Sequence, residues 1–295
     1  MRILVIGANG FIGANIASFF SKSHLVYRSS RNPSKNKNRL FIDLLQKASI
    51  EKALQKATPE VVIHCAGVID NGPRARLNVD FTRNLLESVK SLGINPKIII
   101  CGSASVYGIV KKEDLPISEN HQLNPVGDYA NAKKEEEEFA LKFASENQLN
   151  VVVMRIFNPV GKGMQPRFLI PNLISQLDDV KKTQTSSITV RRKDSLRDYL
   201  DVRDVTLAAK CICENPTAYN VYNIGSGIST SNEELIKSIL KISNIGEIDI
   251  VQSEPKPELI FAAQADIARI KGDLAWQPSY SLEEALKEIV SGYKQ

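Results

Sequence analysis

Tyr129 and Lys133 stand in DYANAKKEEEEF at a YxxxK spacing. On a helix that spacing puts them on one face, about one turn apart. A free phenol titrates near pH ~10, too high for proton transfer at neutral pH. A lysine ammonium beside it favours the phenolate and can lower that value by roughly 1–3 units. The pair therefore suits acid–base work on an alcohol–carbonyl interconversion. Ser103 closes the apolar run KIIICGS (97–103), where a buried strand meets the ligand-binding edge of an α/β sheet. A hydroxyl there can hold the same substrate oxygen that the tyrosine protonates. YxxxK alone recurs by chance; joined to Ser103 and a glycine loop it specifies a chemistry.

That glycine loop is GANGFIG, with Gly7, Gly10 and Gly13 directly after the run ILVIG (3–7) and before a helical pattern. Glycine lets the backbone approach a pyrophosphate, whose charge meets the free N–H groups of the helix start. An acid about 20 residues further on normally grips the adenosine ribose and selects NAD, whereas an arginine accommodates the extra phosphate of NADP. Here the second strand reads LVYRS and ends in Ser29, Ser30 and Arg31. Hydroxyls and a guanidinium suit a phosphate dianion and offer nothing that repels it. The expected cofactor is NADP(H). NAD(H) is the alternative, in which Arg28 and Arg31 are only surface charges.

These groups need elements to hold them. ILVIG, VVIHCAG (61–67), KIIICGS and VVVMRIF (151–157) are β-branched and nearly continuous, as strands buried on both faces should be. Helical patterns occupy 11–22, 47–57, 76–92 and 129–147. Such alternation predicts an α/β fold with a doubly wound parallel sheet. Past residue 160 glycine and proline punctuate GKGMQPRFLIP, and the polar KKTQTSS precedes one more strand-like piece. Ser231 with Glu234, and Ser281 with Glu284, are spaced as capping boxes. The expected organisation is a dinucleotide-binding domain over 1–165, with 197–222 returning to it. A smaller mixed α/β substrate lobe takes most of 166–295. The four glutamates at 135–138 read as a solvated helix face.

With 43% hydrophobic and 24% charged residues, the 295-residue chain has ordinary globular composition. Its net charge of +5 is scattered, which helps an anionic small substrate weakly and makes no nucleic-acid footprint. Cys65 and Cys101 lie in apolar runs as small hydrophobes. Cys211 and Cys213 are too close together, without a second ligand pair, for zinc, so no metal is expected. This cysteine usage fits a reducing, cytoplasmic setting. Gly7, Gly10 and Gly13 break the apolar N-terminus that could pass for a signal peptide. No apolar run approaches the roughly 20 residues of a membrane span, so a soluble protein with no membrane partner is expected.

The chain resembles an extended short-chain dehydrogenase/reductase of the branch that holds nucleotide-sugar epimerases, dehydratases and reductases. GANGFIG, HCAG (64–67), SASVYG, YANAK, RIFNPVGKG (155–163), RDYLDVRDV (197–205), YNIGSG (222–227) and LAWQPSYSLEEAL carry the resemblance in order over nearly the whole chain. It implies a Rossmann-type fold, a nucleotide-sugar substrate and a homodimer through helices flanking the sheet. It implies Ser103, Tyr129 and Lys133 as the catalytic residues, Lys133 also bonding the nicotinamide ribose. Phe11 and Ile12 would lie under the pyrophosphate, and Asp43 and Leu44 at the adenine. Cys65, Ala66 and Gly67 would line the cofactor, Asn78 the active-site backbone, and Phe157 the nicotinamide. Asn158 and Arg197 match positions that touch the sugar nucleotide's diphosphate, a task that suits a guanidinium's fork.

The chain departs from the family pattern in three places. Dehydratases carry a Thr-Asp-Glu run where this chain has Ser103, Ala104 and Ser105, and no acid and base for eliminating water is evident. An arginine that many relatives place on the diphosphate is replaced by Lys256. The usual Leu-Gly-Trp is Leu274, Ala275 and Trp276, a neutral change. His64 is expected to hold a structural hydrogen bond, while His24 and His121 have no evident partner. Helix capping and ion pairs with Arg197 and Arg203 account for Asp198, Asp201 and Asp204.

The favoured function is NADP(H)-dependent reduction of the 4-keto group of a nucleotide-diphosphate 6-deoxyhexose. The compact length, the Ser30–Arg31 loop and the RIFNPVGKG and RDYLDVRDV runs resemble GDP-4-keto-6-deoxymannose reductases. An NAD-dependent nucleotide-sugar 4-epimerase is the alternative, and it prefers an acid at the ribose that this chain lacks. A non-catalytic dinucleotide-binding regulator ranks third, since such proteins lose the tyrosine or the lysine.

Overall fold

The structure, a computed structural model, describes residues 1–32, 34–183, 187–246, 248–253 and 262–293. In chain order come β1 (Arg2–Ile6), α1 (Phe11–Phe20), β2 (Leu25–Ser30), β3 (Arg39–Phe41), α2 (Lys47–Ala57) and β4 (Val61–His64). α3 (Leu77–Ser91), β5 (Lys97–Cys101), α4 (Asp128–Asn147) and β6 (Val151–Ile156) follow. The chain then leaves the sheet through β7 (Asn158–Val160), α5 (Leu169–Thr183), β8 (Ser187–Val190), β9 (Leu196–Asp201) and α6 (Val202–Glu214). It rejoins the sheet as β10 (Val221–Ile224). Beyond lie β11 (Ser229–Ser231), α7 (Asn232–Ile242), β12 (Asp249–Gln252), α8 (Ala268–Leu274) and α9 (Leu282–Tyr293).

Seven strands pair in parallel in the order β10-β6-β5-β4-β1-β2-β3, a Rossmann-type doubly wound sheet. The apolar runs are continuous because both faces are covered. Ile3, Val5, Ile63, Ile99 and Val152 pack against Ile16 and Phe20 of α1 and Val205 and Ile212 of α6. Their alternates Leu4, Ile6, Val62, Ile98 and Ile100 pack against Leu54 of α2, Leu85 and Leu86 of α3 and Ala140 of α4.

A smaller lobe has its own apolar centre, with Ile170 and Leu173 of α5, Ile188 of β8, Leu235 and Ile239 of α7, and Leu286 and Ile289 of α9. β7 and β9 pair in parallel and β9 and β11 antiparallel, while β8 pairs with β12. Both capping boxes are formed: Glu234 takes the backbone N–H of Ser231 at 2.7 Å, and Glu284 that of Ser281 at 2.8 Å. Among the described residues no helix is long and apolar enough to cross a membrane.

Two expectations are corrected. The first helix stops at Phe20, where Ser21 turns its hydroxyl onto the Ala17 carbonyl at 2.6 Å. The glutamates at 135–138 are not one solvated face. Glu135 and Glu138 are exposed, but Glu136 is 1% and Glu137 3% exposed, because α4 packs on α3 and on the sheet with that side inward.

Candidate active site

The loop after β1 is shaped by close backbone approach. Gly7 has φ +81°, and a Cβ there would lie 2.5 Å from the Ala66 nitrogen and 2.7 Å from the Cys65 carbonyl carbon. A Cβ on Gly13 would strike the Gly7 carbonyl oxygen. Gly10 donates its N–H to Gly7 O at 2.9 Å and opens α1 with neither a side-chain cap nor an acid in the first turn. The positive end of α1 is thus left for an anion. Phe11 and Ile12, in that first turn, line a cavity of about 720 Å³ at the carboxyl ends of the strands.

The neighbouring strand ends complete this side. Cys65 donates its N–H to Ile6 O at 2.8 Å. Asn78, buried in α3, ties down the following loop: its amide donates to Val68 O at 3.0 Å and Ala75 O at 2.8 Å and accepts from Val68 N–H at 2.9 Å. Gly67 passes so near that a Cβ would meet the Asn78 amide oxygen at 2.9 Å. At the end of β2, Ser29 accepts the Gly7 N–H at 2.8 Å, buried Ser30 accepts that of Asn32 at 3.1 Å, and Arg31 is exposed. Ile42 N–H donates to Ser30 O at 3.0 Å, bringing Asp43 to this edge. Asp43 caps the turn at Leu45 N–H, and the carbonyl of buried Leu44 takes the Asn84 amide at 2.8 Å.

Ser103 and Tyr129 line the same cavity, with Cys65, Gly67, Phe157, Asn158 and Arg197. Ser103 caps the short turn Ala104–Tyr107, accepting the Ser105 N–H at 3.2 Å, with its hydroxyl 2.9 Å from that of Ser105. Lys133 is 5% exposed, behind the lining, and donates to the Cys101 carbonyl at 2.9 Å. Its Nζ also lies 2.5 Å from Oε2 of Glu136, whose Oε1 accepts the Thr82 hydroxyl at 2.6 Å. Burial works against the Lys133 charge, but Glu136, Tyr129 and Cys101 outweigh it, and the balance is raised.

His64 differs from its expectation. It is buried, both ring nitrogens lack a hydrogen-bond partner among the described residues, and burial, aided by the Lys133 charge, pushes it down to about 3. Burial and the neighbouring ammonium both favour the neutral imidazole. The Cys65 thiol, 3.3 Å from that of Cys101, is held well above the usual thiol range by that hydrogen bond and by burial. It is a poor nucleophile.

The remaining wall comes from residues 158–199. Arg167, Arg191, Arg192 and Arg197 all line it, and only Arg197 stood out in the sequence. Burial lowers the affinity of Arg197 for its proton, and one of its N–H groups donates to Leu196 O at 3.0 Å. Asn158 donates to Asp198 O at 3.1 Å, so β7 and β9 present their polar side chains side by side. Asp198 accepts from Ser226, Gly227 and Ala265 N–H groups, no bond from it to Arg197 being among those described, while Asp201 caps α6 and pairs with Arg203. Lys256 lies outside the described residues. On the same helix as Tyr129, Glu137 clasps buried Arg155, which also donates to the Tyr107 hydroxyl at 2.9 Å.

Comparison with known proteins places this geometry. A family model described as NAD dependent epimerase/dehydratase family matches residues 3–225. The GDP-6-deoxy-D-mannose reductase of Pseudomonas aeruginosa is 28% identical, over 99% of this chain and 97% of that protein. The UDP-glucose 4-epimerase of Bacillus subtilis is 26% identical, over 100% of this chain and 99% of that protein. A solved structure of RMD from Pseudomonas aeruginosa complexed with NADPH superposes with TM-score 0.86 at 28% identity, covering 100% of this chain and 99% of that one.

Proposed function

The chain belongs to the NAD dependent epimerase/dehydratase family, and from that premise we propose that it is an NADP(H)-dependent reductase of a nucleotide-diphosphate 4-keto-6-deoxyhexose. Membership makes it a nucleotide-sugar oxidoreductase or epimerase that uses a nicotinamide dinucleotide. The residues present fit such a cofactor: the cradle at Gly7 and Gly13 is one that a Cβ would fill, and the start of α1 is uncapped. Phe11 and Ile12 would hold the pyrophosphate, Asp43 and Leu44 the adenine, and Cys65, Ala66, Gly67 and Phe157 the nicotinamide half. When bound, the dinucleotide supplies the hydride.

The chain's own residues do the rest. Tyr129 gives its phenolic proton to the 4-keto oxygen as C4 is reduced. Ser103 donates its hydroxyl to the same oxygen and fixes the carbonyl plane. Lys133 carries the positive charge that stabilises the phenolate left behind, and with the dinucleotide bound it would hold the nicotinamide ribose. Arg197 and Asn158 grip the diphosphate, with Arg167, Arg191 and Arg192 adding charge to the same wall. Dehydration is excluded from the reading because Ala104 and Ser105 stand where an acid and base would be needed.

The observation that carries reduction over epimerisation is the end of β2, where Ser30 and Arg31 stand in place of an acid. The relative whose solved structure holds NADPH supports the same choice. The second reading, a 4-epimerase, is favoured by the end-to-end match to the Bacillus subtilis enzyme. Mass analysis of the dinucleotide released by heat from the purified protein separates them. The reductase reading expects little retained cofactor and a site that prefers NADPH to NADH. NAD retained near one per chain would reverse the choice.

A further inference from the structure

Four consecutive glutamates on α4 meet three different fates. Glu135 and Glu138 stay at the surface beside Arg76 and Lys134, and Glu137 clasps Arg155. Glu136 turns to Lys133. Its Oε2 lies 2.5 Å from the Lys133 nitrogen as an ion pair, and its Oε1 accepts the Thr82 hydroxyl of α3 at 2.6 Å, with Thr82 fully buried and Glu136 at 1% exposure. A carboxylate this deep needs a partner of opposite charge, and so does the ammonium.

We propose that Glu136 is a positioning residue of the reaction, which keeps Lys133 charged and fixed behind the cavity and balances its field at Tyr129. This rests on the roles assigned above to Tyr129 and Lys133. The titratable and charged groups facing Lys133 are Glu136 and Tyr129 of α4, Cys101 at the end of β5, and His64 and Cys65 at the end of β4. His64 stays neutral down to about 3 and the Cys65 thiol stays neutral well above its usual range, so neither supplies a compensating charge. Burial is the strongest influence on Lys133 and acts to strip its proton; Glu136 is the strongest influence opposing it.

Glu136→Gln keeps the shape and removes the charge. If Lys133 stays charged, its unbalanced field draws off the Tyr129 proton at lower pH. If burial prevails, Lys133 loses its own proton. Reduction needs both protons, so either course moves the alkaline limb of the profile the same way.

The test is the pH profile of kcat/KM for NADPH-dependent reduction of GDP-4-keto-6-deoxymannose, run beside NADPH binding followed by its fluorescence. In Glu136→Gln the alkaline limb should move to lower pH by about one unit or more, and Glu136→Asp should return it most of the way to the parent position. NADPH affinity, which needs no turnover, tells the two courses apart: between pH ~7 and ~9 it should weaken about tenfold in the variant where Lys133 loses its proton, and hold within about twofold, as in the parent, where Tyr129 loses its own. Thr82→Val, which removes only the hydroxyl, should shift the limb the same way by about half a unit, and it carries the test if Glu136→Gln does not fold. A lower kcat with the limb unmoved, or moved to higher pH, overturns the proposal and leaves Glu136 a packing residue. Lys133→Met separates the two layers. Activity surviving in that variant defeats the reading of the site, whereas its loss beside an unmoved limb in Glu136→Gln defeats this proposal alone.

Discussion

The two walls of the cavity are built by different means. The wall from β1, β4 and the start of α1 is largely backbone: Gly7, Gly13 and Gly67 are there because a Cβ would collide with Ala66, with the Gly7 carbonyl and with Asn78. The wall from residues 158–199 is side chain, four guanidiniums and the polar side chains of β7 and β9. A backbone wall admits few sequences and serves whatever chemistry the family performs. A side-chain wall can change without disturbing the sheet, so the proposed function puts the choice of sugar nucleotide there. Ser103 and Tyr129 stand between the two.

Breaking the junction has the largest expected effect. Tyr129→Phe should lower turnover by roughly 10²–10⁴-fold with dinucleotide affinity preserved, as read from steady-state rates beside a binding titration. Unchanged turnover would remove Tyr129 from the mechanism. Next comes the backbone wall: Gly7→Ala forces a methyl into the Ala66 backbone at a left-handed φ. It should cost about 1–3 kcal/mol of stability and abolish measurable dinucleotide binding, seen by denaturation and calorimetry. The side-chain wall should respond differently. Arg197→Met removes charge-assisted bonds worth about 1.5–3 kcal/mol, so KM for the sugar nucleotide should rise roughly 10–100-fold while stability and dinucleotide affinity hold. Equal loss of dinucleotide affinity would erase the distinction between the walls.

A smaller effect sharpens the comparison on the backbone side. His64 is held at about 3, below the ordinary value of an imidazole, so its contribution to stability is complete above pH ~6.5 and is lost as pH falls toward 3. By pH ~5 that loss is about 2 kcal/mol. His64→Leu should therefore lose about 2 kcal/mol less than the parent between pH ~7 and ~5, as measured by denaturant unfolding. Equal losses would place the acid sensitivity elsewhere.

The same division explains what could be read from the residues alone. Gly7, Gly10 and Gly13 announce their turn because few other residues tolerate it, and the strand runs announce a sheet covered on both faces. Ser103, Tyr129 and Lys133 carry fixed spacings to those elements. Glu136 was hidden because burial depends on how α4 meets Thr82 of α3, a contact between residues 54 apart in the chain. Arg167, Arg191 and Arg192 were hidden for a related reason: they look like ordinary surface charges until the smaller lobe folds them over the cavity. His64 shows the converse, a polar residue whose type suggested a bond that the described residues around it do not provide.

The most direct test of the account is the fate of a deuterium label carried on the nicotinamide of NADPH, with GDP-4-keto-6-deoxymannose as substrate. The account predicts deuterium on C4 of the sugar product, one label per sugar reduced, with NADP released to solution. A sugar nucleotide interconverted at C4 without label, its dinucleotide never leaving the protein, would contradict it.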